Sequence, residues 1–177
     1  MYELVATVKR FTHMDRSPTA AVTDLREGLA DTVRMLGAKA RAKSVAVDIR
    51  IERDLPRVRT FGGELNQVWL NLIDNALDAV GEAGHVSVSA VRELNSVVVR
   101  FVDDGHGISA EEQPQVFDPF FTTKPVGQGT GLGLDIARRL VRRHEGEIEV
   151  ESRPGHTEFR VILPAVLNPP PVQAIAA

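Results

Sequence analysis

Residues 64–80 read ELNQVWLNLIDNALDAV, and this stretch decides the fold. Leu65, Val68, Trp69, Leu72, Ile73, Ala76 and Val80 recur at three- and four-residue spacing, which lays them on one broad face of a helix. Gly62-Gly63 precedes it, and Gly81 to Gly84 ends it. A second stripe runs beside the apolar one: Asn71, Asn75 and Asp78 fall one helical turn apart. Two neutral amide oxygens one turn apart can ligate a hard cation such as Mg²⁺, or hold its waters, while adding little negative charge nearby. Such a stripe alone more often merely meets solvent, so the neighbouring segments have to decide.

Upstream, Leu4, Val5, Val8 and Phe11 predict a short helix over 2–16, which Pro18 stops. A second helix begins near Asp24, with Glu27 placed to reach back in a capping box. Its core stripe is Leu25, Leu29, Val33 and Leu36, and it runs on to about Ala42. Val45, Val47, Ile49 and Ile51 alternate as a half-buried strand does. Downstream come strands around 85–92 and 96–102, a short helix over about 109–117, a helix over 132–144, and a closing hairpin of strands 146–152 and 157–163. Residues 165–177, with Pro169, Pro170 and Pro171, read as a disordered tail. The order predicts an α+β fold, one sheet covered by helices on one face.

Two further segments carry chemistry. Asp103-Asp104-Gly105-His106-Gly107-Ile108 follows a strand directly. A carboxylate at a strand end can accept from an exocyclic amine such as that of adenine, and glycines let backbone approach a flat ring. Gly127-Gln128-Gly129-Thr130-Gly131-Leu132-Gly133 runs straight into a helix, so unpaired N–H groups and the positive end of the helix dipole face whatever sits there. Before it stand Phe117-Asp118-Pro119-Phe120-Phe121 and Thr122-Thr123-Lys124, a flank able to anchor aromatics and offer Lys124 to phosphate. No Lys-Ser/Thr follows the glycines, so this is not a Walker loop.

Composition excludes several alternatives. The 177 residues carry a formal charge of −3, so no global basic field gathers nucleic acid or anionic membrane. With no cysteine, disulfides, thiolate metal sites and thiol catalysis are excluded. No apolar run approaches the ~18–20 residues of a membrane span, and no signal-peptide pattern opens the chain, which reads as a cytoplasmic domain without membrane contact. His85, His106, His144 and His156 lack metal-ligand spacing, and His106 reads as an exposed turn residue.

Taken together, ELNQVWLNLIDNALDAV, VDDGHGIS, VFDPFFTTK and GQGTGLGLDIARRLV, in that order, resemble the N, G1, F and G2 boxes of sensor histidine kinases over about residues 22–164. The resemblance implies the Bergerat-type sandwich shared with gyrase, the Hsp90 chaperone and MutL: two layers, a mixed sheet of about five strands and three helices on one face. It implies ATP and Mg²⁺, with Asn75 on the metal, Asn71 over the phosphates and Asp103 on the adenine amine. Gly105, Gly107 and Ile108 would lie by the ring. Asp78, Phe120, Thr122, Thr123, Lys124, Gly127, Gly129, Thr130, Gly131, Leu132 and Gly133 would complete the ATP site, with residues 118–131 as a lid. Asn71 and Lys124 would be its catalytic residues. The Thr-Thr-Lys lid and Asp78 look most like the nitrogen-regulator branch. Many members carry a basic residue where Asp78 stands, so Lys124, Arg138 or Arg139 would supply that charge.

Asn71 also separates members of the superfamily. Gyrase-type ATPases and serine kinases of this kind resemble one another in placing a glutamate base one turn before the metal asparagine; an amide takes no proton, whereas a histidine acceptor needs no base. The implied function is therefore phosphate donation to a histidine on a helical-hairpin domain, then to an aspartate of a response regulator receiver. Rival readings are a self-contained ATPase or serine/threonine kinase, and a module that senses nucleotide without transferring phosphate. His13-Met14-Asp15-Arg16-Ser17-Pro18 partly matches an acceptor motif. Met14 replaces the acidic neighbour, however, and too few residues separate His13 from Asn71 for a hairpin's second helix. Residues 1–18 thus read as the end of that second helix, 19–164 as the ATP-binding domain, and the acceptor as lying outside this chain. The full protein would dimerise through the hairpin, leaving this fragment monomeric.

Overall fold

The computed structural model describes residues 20–125 and 129–167. The helix expected over 2–16, the His13 motif, Gly127 and residues 168–177 of the expected tail lie outside the described residues.

Chain order is β1 (Ala21–Thr23), α1 (Leu25–Ala42), β2 (Ala46–Ile51), β3 (Arg57–Thr60), α2 (Glu64–Ala79), β4 (His85–Glu93), β5 (Ser96–Asp103), α3 (Gly133–Arg143), β6 (Glu147–Arg153) and β7 (His156–Val166). The strands form one mixed sheet in the order β1-β3-β7-β5-β4-β2, with β6 also on β7. Among the described strands only β2 and β4 run parallel, from Ala46 opposite His85 to Ile51 opposite Ala90. Along one edge β7 pairs β5; along the other it pairs first β6 and then, through Ala165 and Val166, β3.

The described sheet has seven strands, against the five expected. The two additions, β1 and β3, have three and four residues, too short to display alternation. β3 exists because the long β7 offers it a template, and β1 because β3 does in turn, which is a tertiary cause in both cases. The same pairing carries regular structure to Val166, past the boundary expected at residue 164.

Period-two burial drives the packing. Val86, Val88 and Ala90 of β4, Val97, Val99 and Phe101 of β5, and Phe159, Val161 and Leu163 of β7 are buried against the helices. The alternate positions Arg100, Glu158 and Arg160 are only half-buried, and there Arg160 pairs with Glu149 at 2.6 Å. The helices therefore cover one face, giving the expected two-layer sandwich. Central helix α2 buries Leu65, Val68, Trp69, Leu72, Ile73, Ala76 and Leu77. Trp69 stacks on Phe101, ring centres 5.6 Å apart. Each such side chain, fully buried, contributes about 1.5–3 kcal/mol relative to exposure.

Two local expectations are corrected. Asp24 does cap α1, but it accepts from Arg26 N at 2.9 Å and pairs with the Arg26 guanidinium at 2.7 Å, and no reciprocal Glu27 bond forms among the described residues. The helix expected over 109–117 is a 3-10 turn, Gln113–Gln115. Pro114 lacks the N–H a helix needs, and Ser109 Oγ instead donates to Glu112 Oε2 at 2.8 Å, holding a local turn.

Candidate functional site

The alternation that buries Phe101 also decides where Asp103 goes. It is the next position facing the helix layer, at the end of β5, and it is only 3% exposed. Its Oδ1 accepts from Gly105 N at 3.0 Å, and Oδ2 has no hydrogen bond among the described residues, so it can accept from an arriving N–H group. Burial pushes this carboxyl up from the ordinary value, against the opposing hydrogen bond from Gly105. A Cβ on Gly105 would lie 2.6 Å from Ala79 O, at the end of α2. His106 N donates to that same oxygen at 3.3 Å, and the His106 side chain is exposed, as expected of a turn residue. Gly107 has φ +80°, and a Cβ there would meet Arg153 O at 2.6 Å. Ile108 N donates to Ser152 Oγ at 2.8 Å.

Sequence reading missed Thr157. It stands directly opposite Asp103 in the β5–β7 register, is 3% exposed, and shares a 2.7 Å hydrogen bond with Ser152 Oγ. The available signal was a hydroxyl at an inward-facing position of a strand that otherwise buries Phe159, Val161 and Leu163.

The stripe on α2 meets the glycine segment. Asn71 Nδ2 donates to Gly133 O at 2.9 Å, which ties α2 to the first residue of α3. Among the described residues no side chain caps α3, so none of them takes up its first N–H groups. Gly131 has φ +66°, its carbonyl accepts from Phe120 N at 2.9 Å, and a Cβ would stand 2.4 Å from Phe120 C. Phe120 itself has φ 67° and is 74% exposed. Thr122 Oγ1 accepts from Lys124 N at 3.2 Å and would touch a Cβ on Gly129 at 2.9 Å. Leu132 N leans toward Thr130 Oγ1 at 3.4 Å, and Thr123 is exposed.

Lys124 is folded back onto α2. Its Nζ lies 3.2 Å from Asn75 Oδ1 and 2.6 Å from Asp78 Oδ2. Of the three cations named to supply the charge missing at the Asp78 position, Lys124 is the one that lies against Asp78 itself. Arg138 donates to Phe117 O at 2.9 Å and lies over the Phe117 ring, and Arg139 pairs with Asp135 at 2.8 Å. A further lysine, unforeseen, completes the cluster: Lys39 of α1 lies 2.6 Å from both Asp74 and Asp78. Burial works to raise the Asp78 pKa, but hydrogen bonds from Lys124 and Lys39 outweigh it and hold that carboxyl below its usual range. Burial likewise works to lower Lys39, and the bonds to Asp74 and Asp78 raise it.

Asn75 Oδ1 thus already accepts from one cation, which is the donor character a Mg²⁺ ligand needs. No group of three or more His, Asp or Glu able to hold a metal occurs among the described residues. A metal at Asn75 would draw its other ligands from phosphate and water. All three remaining motifs converge on α2: the 103–108 segment through Ala79, Lys124 through Asn75 and Asp78, and the glycine loop through Asn71.

Residues 62–167 match the family of histidine kinase-, DNA gyrase B-, and HSP90-like ATPases. Sporulation kinase E of Bacillus subtilis (strain 168) is 31% identical over 142 residues, covering 79% of this chain and 19% of that protein. The sensory histidine kinase/phosphatase NtrB of Rhizobium leguminosarum bv. phaseoli is 32% identical over 167 residues, covering 85% of this chain and 43% of that protein. The chain thus spans less than half the length of these curated relatives. The nucleotide-free catalytic domain of histidine kinase ThkA superposes with a TM-score of 0.75 at 30% identity, covering 83% of this chain and 96% of that one.

Proposed function

The chain belongs to the histidine kinase-, DNA gyrase B-, and HSP90-like ATPase family, and from that premise we propose that it is the ATP-binding half of a sensor histidine kinase, donating the γ-phosphate of Mg-ATP to a histidine on a helical-hairpin domain. The observation that carries this reading is the convergence of three separated motifs on one face of α2, with amides rather than carboxylates at Asn71 and Asn75. Asp103 accepts the adenine amine through Oδ2, beside backbone that Gly105 and Gly107 keep free of side chains. Ile108 closes the ring side. The N–H groups from Gly129 to Gly133 and the dipole of α3 face the triphosphate, with Thr130 and Leu132 between them. Thr122 and Thr123 hold the segment that brings Lys124, which leaves Asn75 and Asp78 for phosphate. Mg²⁺, when bound at Asn75, supplies charge neutralisation between phosphate oxygens.

Asn71 orients and does not deprotonate. Its Nδ2 is committed to Gly133 O, and no lone pair on a carboxamide nitrogen takes up a proton at neutral pH. Neutral imidazole needs no such help, so positioning and electrostatics carry the transfer. The hairpin lies outside this chain. From it the phosphate passes to an aspartate of a response regulator receiver domain, in a cytoplasmic setting. No described helix is long and apolar enough to cross a membrane.

Two titrations test the site. Asn75→Ala is expected to keep the melting temperature and weaken Mg-ATP binding at least tenfold, since a lost charge-assisted contact costs about 1.5–3 kcal/mol. Unchanged affinity removes Asn75 from the site. The wild-type chain alone, given Mg-ATP, is expected to release no steady stream of phosphate. Sustained turnover would mean an ATPase with a base elsewhere.

A further inference from the structure

The geometry points to Lys39, outside every motif of the site, as a positioning residue: it sets how firmly Asp78 holds Lys124 away from phosphate. This inference rests on Lys124 being a phosphate ligand. Asp78 offers one oxygen to each lysine, Oδ1 to Lys39 at 2.6 Å and Oδ2 to Lys124 at 2.6 Å. All three side chains are about a third exposed, so their attraction is stronger than between fully solvated charges.

The two lysines are not equivalent. Lys39 is anchored twice, to Asp78 and at 2.6 Å to Asp74, on a helix whose Leu29 and Ala40 are buried in the core. Lys124 belongs to the segment between the 3-10 turn and α3, and its second contact is the Asn75 oxygen assigned to the metal. Loading the site therefore requires Lys124 to leave while Lys39 stays. With Lys39 present, the Asp78 carboxylate keeps a partner when Lys124 departs. Without it, Asp78 belongs to Lys124 alone, and departure strands an unpaired carboxylate beside a triphosphate. An unpaired, half-buried charge is the costly state, so removing Lys39 strengthens the hold on Lys124.

The chain contains four lysines, Lys9, Lys39, Lys43 and Lys124, which makes a labelling test readable. The nucleotide-free protein is treated with limiting N-hydroxysuccinimidyl acetate, and acetylation of Lys124 is followed by mass spectrometry. Lys39→Met is expected to slow labelling of Lys124 by about threefold to fivefold, the range of one partly exposed ion pair. Asp78→Asn speeds it, Lys39→Arg restores the wild-type rate, and adding Lys39→Met to Asp78→Asn changes nothing. Lys39→Gln serves the same comparison should Lys39→Met fold poorly. Mg-ATP affinity is expected to fall with Lys39→Met by a similar factor, and not to fall in the Asp78→Asn background. Equal labelling of Lys124 with and without Lys39 overturns the inference. So does an affinity loss that persists in full when Asp78 is Asn, because Lys39 would then act through its general field. If no variant binds nucleotide, it is the proposed function that fails, and the labelling order still decides the role of Lys39.

Discussion

At the scale of the residue, the carboxyl of Asp103 is where the proposed adenine contact meets the fold. Burial raises its pKa, so the folded chain loses this proton at higher pH than the unfolded chain does. The stability linked to the group is present below the unfolded value and is lost as pH rises through the folded one. In the proposed site Asp103 accepts the adenine amine best in its ionised form, so binding is expected to work in the opposite sense. Affinity for adenosine, which carries no phosphate protons, is expected to fall on acidification, starting above the range of an ordinary aspartate. In Asp103→Asn that pH slope should vanish and affinity should be lower by about tenfold or more. A slope that survives in the variant would assign the titration elsewhere. Asp103 was legible in the sequence because a strand pattern ended on it before two glycines. Thr157 was not, since nothing local marks a hydroxyl as facing a carboxylate on another strand. Lys39 was invisible for the same reason: its partners lie on α2, and only packing of α1 on α2 brings them together.

At the scale of the element, glycine loops that look alike do different work. Gly131 and Gly107 both have positive φ, and a Cβ at either would collide with backbone. Gly131 abuts Phe120 beside the start of α3, away from the sheet, so Gly131→Ala is expected to weaken Mg-ATP binding about tenfold while shifting the melting temperature little, the strain of about 1–3 kcal/mol falling on the binding loop. Gly107 abuts Arg153 at the end of β6 and Pro154 in the turn of the β6–β7 hairpin. Gly107→Ala should therefore lower the melting temperature by several degrees, as about 1–3 kcal/mol does in a domain of this size. Thermal scans and ATP titrations of the two variants check the contrast, and equal thermal losses would contradict it. The long helices α1 and α2 were readable because each carries an apolar stripe at helical spacing. The 109–117 segment misled because its pattern fits a helix while Pro114 and the Ser109–Glu112 bond favour a turn. Strand β3 forms on β7 and β1 forms on β3, and at four and three residues neither is long enough to show an alternation.

At the scale of the whole molecule, the sandwich uses one layer for support and one for chemistry. The sheet gives α2 a flat bed, and α2 in turn gathers segments far apart in sequence at its half-buried polar stripe. That arrangement explains why order and spacing of the motifs pointed to a candidate site, whereas the strand order, with one parallel pair among the described strands, could not be read from any one stretch. It also explains a division of labour. On the proposed reading, a domain that binds and orients a triphosphate with an amide at Asn71 takes its nucleophile from a partner. The most direct measurement of this is transfer of label from γ-labelled ATP with Mg²⁺ to a separately supplied acceptor hairpin, with this chain alone as control. Acid-labile label on the hairpin and none on this chain is the expected result. Label on this chain that is lost in His13→Ala, or no label anywhere while nucleotide still binds, would contradict phosphate donation to a histidine on another domain.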